Sequence, residues 1–98
     1  MGHTEEVEDR LKMIMNSWMP QIAPGCEPHL VQLIEKAAQR MDAEGFASNP
    51  MKLLEMEKNF RLLLTEMTME AGVLGFRDLH EPTFFAAMNR LCPLFPFC

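Results

Sequence analysis

The fold is decided by the longest periodic stretch of the chain, PMKLLEMEKNFRLLLTEMTMEAGVLGF at residues 50–76. If each residue turns a helix by about 100°, one side of this stretch is apolar over an arc of roughly 100°, the width of a core-facing stripe. This stripe consists of Leu53, Met56, Phe60, Leu63, Leu64, Met67, Ala71 and Leu74. We therefore predict a long third helix, over residues 50–71, that buries this side.

The same helix has a second apolar face on nearly the opposite side. Its residues are Met51, Leu62, Met69, Val73 and Phe76. A helix at the edge of a monomeric bundle needs only one apolar stripe, so the second must meet another helix of this chain, a partner protein or a second copy. We predict that these five residues bind a partner, together with Phe95 and Phe97 near the C-terminus.

Three further helices are predicted from the same periodicity, over residues 5–19, 28–43 and 82–91. The helices are bounded by residues that commonly cap, start or break a helix. These residues are Thr4, Pro20, Pro28, Gly45, Asn49, Pro82 and Pro93. Trp18 and Phe60 lie centrally on their stripes, and we expect both in the core. The chain is thus predicted to be all-α, a compact antiparallel bundle of four helices in which helices 2 and 3 are neighbours.

The C-terminal segment CPLFPFC, residues 92–98, is apolar but twice interrupted by proline. We predict an extended strap here rather than a helix or a strand. The whole chain, residues 1–98, is long enough to form a single helical domain, with residues 1–4 and 93–98 as flexible ends. The strap is an alternative cover for the near end of the second face of helix 3.

Composition excludes several classes of partner. The formal charge is −5 and the nine lysines and arginines are dispersed, so no basic stripe is available to follow a phosphate backbone. No apolar run approaches the roughly 20 residues of a membrane span, and the acidic N-terminal segment does not resemble a signal peptide. We expect a soluble, cytoplasmic protein that binds neither nucleic acid nor membrane, with its three cysteines as thiols.

Two weak patterns point to a metal or a cofactor. Cys26 and His29 have a spacing compatible with zinc, and in an up-down bundle His80 and Glu81 return to the same end. The ordinary interpretation is a loop thiol beside the imidazole at a helix start. Cys92 precedes a proline, as in short haem-responsive motifs, but proline here also simply ends a helix. We predict no cofactor.

The residues that could take part in catalysis do not form a recognisable catalytic motif. The two serines, Ser17 and Ser48, lie on polar helix faces or caps, and Glu66 and Glu70 lack the Glu-x-x-His motif of di-iron bundles. We therefore predict a non-catalytic protein-interaction module: an adaptor, a regulator or a subunit of an assembly. Its partner is another protein or a second copy, as in a homodimer. The alternative is a metal- or cofactor-responsive sensor that uses Cys26, His29 and His80, or Cys92.

Overall fold

The structure, a computed structural model, describes residues 2–94. Within this range the chain forms four α-helices: α1 (Thr4–Trp18), α2 (Glu27–Ala43), α3 (Pro50–Val73) and α4 (Glu81–Leu91). Three single 3₁₀ turns accompany them, at Met19–Gln21, Pro24–Cys26 and Cys92–Leu94. Residues 2–94 contain no strand, and an isolated β-bridge joins Ile22 to Leu79. The prediction of an all-α chain with four helices is confirmed.

Local signals set the start of α3. At its start, the side chain of Asn49 accepts hydrogen bonds from the backbone N–H groups of Met51 and Lys52, at 3.0 and 3.3 Å. Pro50 follows as the first helical residue, where its missing N–H costs nothing. Asn49 therefore satisfies two of the free donors of the first turn, as its position before the proline predicts.

The ends of α2 and α3 have the same geometry. Gly45 and Gly75 have positive φ angles of 76° and 88°, which other residues adopt only with strain. After each glycine the next N–H turns back to a carbonyl of the helix: Phe46 to Met41 and Phe76 to Ala71, both at 2.9 Å. These are Schellman motifs, in which glycine closes the last turn.

Leu74 lies just beyond the end of α3. It continues the core stripe on a helical wheel, but α3 ends at Val73 and Leu74 is exposed. The prediction that Leu74 belongs to the core is wrong, because periodicity has no meaning beyond the glycine-closed turn.

The start of α1 is anchored by a distant carboxylate. We predicted Thr4 as a helix cap, but its hydroxyl instead donates to Oδ2 of Asp42 at 2.9 Å. The backbone N–H of His3 donates to Oδ1 of the same residue at 3.3 Å. These bonds hold the beginning of α1 beside the end of α2, and they lower the pKa of Asp42, the bond from Thr4 contributing most.

A single apolar core joins the four helices. α1 packs against both α2 and α3, and α4 packs against α3. The largest fully buried side chains are Phe60, Leu11, Leu30, Ile34, Leu63, Leu64, Met67 and Leu79. Phe60 is thus confirmed as a core residue, whereas Trp18 is only half-buried and packs against the edge of the core. Among residues 2–94, no helix combines the length and the apolar character needed to cross a membrane.

Candidate interaction surface

The outer face of α3 lies on the surface; it consists of Met51, Leu62, Met69 and Val73 on α3, together with Phe76 just beyond the end of the helix. The exposed fractions of these five residues range from 45% to 85%. Leu54, on the edge of the same face, is also exposed and was not predicted. The wheel does place Leu54 beside Met51, so its inclusion required only a wider arc. From Met51 to Val73 the outer face runs along α3 for about 33 Å.

The flanks of α3 explain why this face stays open. Arg10 of α1 forms an ion pair with Glu57, whose side chain is only 13% exposed, on one flank of α3. On the other flank, Arg90 of α4 donates to Glu70 at 2.6 Å. On the helical wheel, Glu57 and Glu70 each lie roughly 100° or more from Met51 and Met69. Both packed helices therefore reach α3 from the core side, and neither covers the outer face.

The outer face also carries charge near its centre. Lys58 and Glu66 lie four residues before and four residues after Leu62, within the same broad arc. Neither forms an ion pair with any residue in the range 2–94. Glu55 lies one turn after Met51 on the same face, and its carboxylate is 3.9 Å from the Lys52 ammonium of its own helix. One cation and one anion on this face are thus left without a partner inside the described part of the chain.

Thr65 is a further polar residue, at the margin of the outer face. Its hydroxyl donates to the carbonyl oxygen of Arg61 in the preceding turn, at 2.8 Å. Because this bond satisfies the hydroxyl donor, Thr65 can pack beside an apolar neighbour through its methyl group.

The predicted metal residues come to the same end of the molecule but do not form a metal site. The Sγ atom of Cys26 lies 3.5 Å from the carbonyl oxygen of Leu79, and burial followed by the charge of Glu81 raises the pKa of this thiol. The Nε2 atom of His29 is 3.9 Å from a carboxylate oxygen of Glu81. No three histidine, cysteine or acidic side chains within residues 2–94 are arranged to hold an ion.

Aromatic packing accounts for the positions of both histidines. The ring of His29 makes an edge contact with Phe85, with centroids 4.6 Å apart, and also lies against Phe84. The ring of His80 packs on Phe76, with centroids 4.0 Å apart, and its Nδ1 atom is buried without a hydrogen-bond partner in residues 2–94. The imidazoles therefore serve as flat packing groups at this end of the core.

Cys92 differs from the sequence prediction. It is disulfide-bonded, whereas we expected all three cysteines to be thiols. A sulfur in a disulfide has no thiolate to offer to haem iron, so the predicted alternative that uses Cys92 has no support in this state. Phe95 and Phe97, the other predicted contact residues, lie outside the described residues.

A shallow groove of about 150 Å³ separates the second half of α2 from the first half of α3. Its apolar floor includes Met41 and Met56, and its rim includes Phe46, over which the Lys52 ammonium lies at 5.2 Å. Few residues of α2 and α3 approach each other closely, although the link between the two helices is short. The rim of the groove also carries the polar side chains Arg40, Glu44, Lys52, Glu55 and Asn59.

Comparison of the chain with protein-family models, with curated proteins and with solved structures yields no match. The function has therefore to be inferred from the surface of the molecule itself.

Proposed function

We propose that this chain is a small, non-catalytic helical interaction module that associates with a second copy of itself through the outer face of α3. The observation that supports this most directly is the exposure of all five apolar residues predicted for that face. Scattered apolar residues are normal on a protein surface, but a row aligned along one long helix is typical of an interface.

The chemistry of the face favours a second copy as the occupant. Lys58 and Glu66 lie at equal distances from Leu62, so these two charges are complementary between two copies of the face, while Glu55 on the same face is already paired with Lys52. Symmetric pairs with a twofold axis are also the commonest form of protein assembly. A foreign partner would have to supply the opposite charges in a matching order.

Within each copy we propose that the four helices complete an antiparallel bundle, with α3 at its edge. In this arrangement the buried face of α3 holds the domain together and its outer face is free to bind. An adaptor or an assembly subunit needs this division, because binding then leaves the core undisturbed.

The test is the mass in solution, measured by light scattering over a range of concentrations. The parent chain should shift from monomer to dimer, and a variant with Leu62→Glu and Met69→Glu should remain a folded monomer by circular dichroism. Met13→Glu, at a methionine that is 74% exposed on α1, is the matched control and should still form dimers. A parent chain that is monomeric at every concentration, or a double variant that still pairs, would rule out this function.

A further inference from the structure

We propose that the two copies of α3 pair in opposite directions, with Leu62 at the twofold axis. This orientation rests on the proposed self-association and specifies its geometry. Leu62 is near the middle of α3, which runs from Pro50 to Val73. Rotation about an axis at Leu62 places each end of one helix against the opposite end of the other.

The apolar residues at the ends of α3 fit this pairing. Met51 lies at the start of the outer face, whereas Met69 and Val73 lie near its end. With Leu62 on the axis, Met51 of one copy lies opposite Val73 of the second copy, and Met69 is one turn away. Apolar contacts therefore form at the centre and at both ends of the pair.

The two charged residues of the outer face without an ion-pair partner within residues 2–94, Lys58 and Glu66, favour the antiparallel orientation. Lys58 and Glu66 are each about 6 Å along the helix from Leu62, on opposite sides. In the antiparallel pair, Lys58 of each copy is level with Glu66 of the second copy, which gives two ion pairs by symmetry. A parallel pair would bring Lys58 beside the second Lys58 and Glu66 beside the second Glu66. Because neither residue has an ion-pair partner within residues 2–94, both side chains are available for the contact between copies.

Helix dipoles favour the same direction. The start of each α3 carries partial positive charge and its end partial negative charge. Opposite directions bring these unlike ends together, whereas a parallel pair aligns like ends.

Charge reversal tests the orientation. Dimerisation constants would be measured by sedimentation equilibrium at low ionic strength, where surface charges are least screened. Lys58→Glu and Glu66→Lys alone should each weaken dimerisation roughly tenfold, because each replaces two attractions by two repulsions. The double variant, Lys58→Glu with Glu66→Lys, should recover the affinity of the parent chain. Thermal denaturation at low concentration would confirm that each variant folds.

A distance measurement tests the direction independently. Nitroxide labels would be attached to cysteines introduced by Thr65→Cys or Met51→Cys, with the labelled parent chain as background. In the proposed pair the two labels at position 65 are about 9 Å apart along the helix, and those at position 51 are about 33 Å apart. In a parallel pair both distances are short.

The outcomes test the proposed self-association and the proposed antiparallel orientation separately. A monomeric parent chain overturns both the proposed function and this geometry. A dimer that the Leu62→Glu and Met69→Glu variant abolishes, but that neither single charge reversal weakens, overturns the orientation alone, because a parallel pair faces like charges with like charges before and after each reversal. Short distances at both labelled positions would overturn it as well.

Discussion

Phe60 and Leu62 lie two residues apart on α3 and face opposite sides of the helix. The exposed fraction of Phe60 is 1%, and that of Leu62 is 48%. Two residues turn a helix by about 200°, so a core face and an outer face alternate along the same segment. One helix thus supplies both the centre of the core and an apolar surface in contact with solvent.

This contrast predicts unequal effects of two similar substitutions. Phe60→Ala should lower the free energy of unfolding by about 3–5 kcal/mol, because it removes a large buried ring and leaves a cavity. Leu62→Ala should change it by less than about 0.5 kcal/mol when measured at concentrations where the chain is monomeric. Chemical denaturation followed by circular dichroism measures both. Equal losses would show that the two faces of α3 are both internal.

Substitution of two glycines near helix ends by alanine should change the stability of the chain in opposite directions. Gly72 lies inside α3 with open space where a Cβ would project, so Gly72→Ala should stabilise the chain by about 0.5–1 kcal/mol. Gly45 also has open space but a φ of +76°, so Gly45→Ala should destabilise by about 1 kcal/mol or more. Because a Cβ has open space at both positions, the two variants differ in backbone conformation and not in crowding. Thermal unfolding of both variants measures the change in stability. A gain in stability from Gly45→Ala would contradict the left-handed conformation.

The bonds to Asp42 should make stability depend on acid pH. Because folding lowers the pKa of Asp42, its contribution is present above the usual value of 3.8 and is lost as the pH falls through the folded-state pKa. Asp42→Ala should therefore lower the melting temperature at pH 7 and have no such effect near pH 2. In the isosteric variant Thr4→Val, the pKa of Asp42 measured by carbon NMR should move back toward 3.8, since the hydroxyl bond is the largest cause of the shift. An unchanged pKa in that variant would show that Thr4 does not bind Asp42.

Cys26 should make stability depend on alkaline pH. Burial raises the pKa of this thiol above its usual value of 9.0, so the unfolded chain releases the proton first. The contribution of Cys26 is complete below pH 9 and is lost as the pH rises toward the folded-state pKa. The chain contains no tyrosine, so few other groups titrate between pH 8 and 10. Cys26→Ala should flatten the fall of unfolding free energy over this range, and an unchanged slope would contradict burial of the thiol.

Most of the helical pattern could be predicted because its determinants are local. Asn49 and Pro50 start α3 through bonds and dihedral angles within one turn, and the prediction of its start matches the structure. The end was predicted at Ala71 and lies at Val73, because Gly75 rather than Gly72 closes the last turn. Six of the eight residues predicted on the core face of α3 are buried, and Leu53 packs partly against the core.

Other contacts could not be predicted because they join segments far apart in the chain. Leu79 is fully buried although it lies in a polar link, since its backbone pairs with the segment after α1: its N–H donates to Gln21 at 2.9 Å and its carbonyl accepts from Ala23 at 2.7 Å. The same pairing brings Leu79 to the thiol of Cys26. No periodic signal marks such a residue, because its burial is decided by a neighbour more than fifty residues away.

The sequence by itself determined that the chain is helical, where its helices begin and end to within about two residues, and that α3 has two apolar faces. These properties follow from the turn per residue and from caps that act within a few positions. Only the tertiary structure decided that the other helices, α1, α2 and α4, leave the second face of α3 open. That choice depends on the packing of α1 and α4 onto α3, fixed in part by the distant pairs Arg10–Glu57 and Arg90–Glu70. Burial is a property of the assembled helices, whereas periodicity is a property of one helix alone.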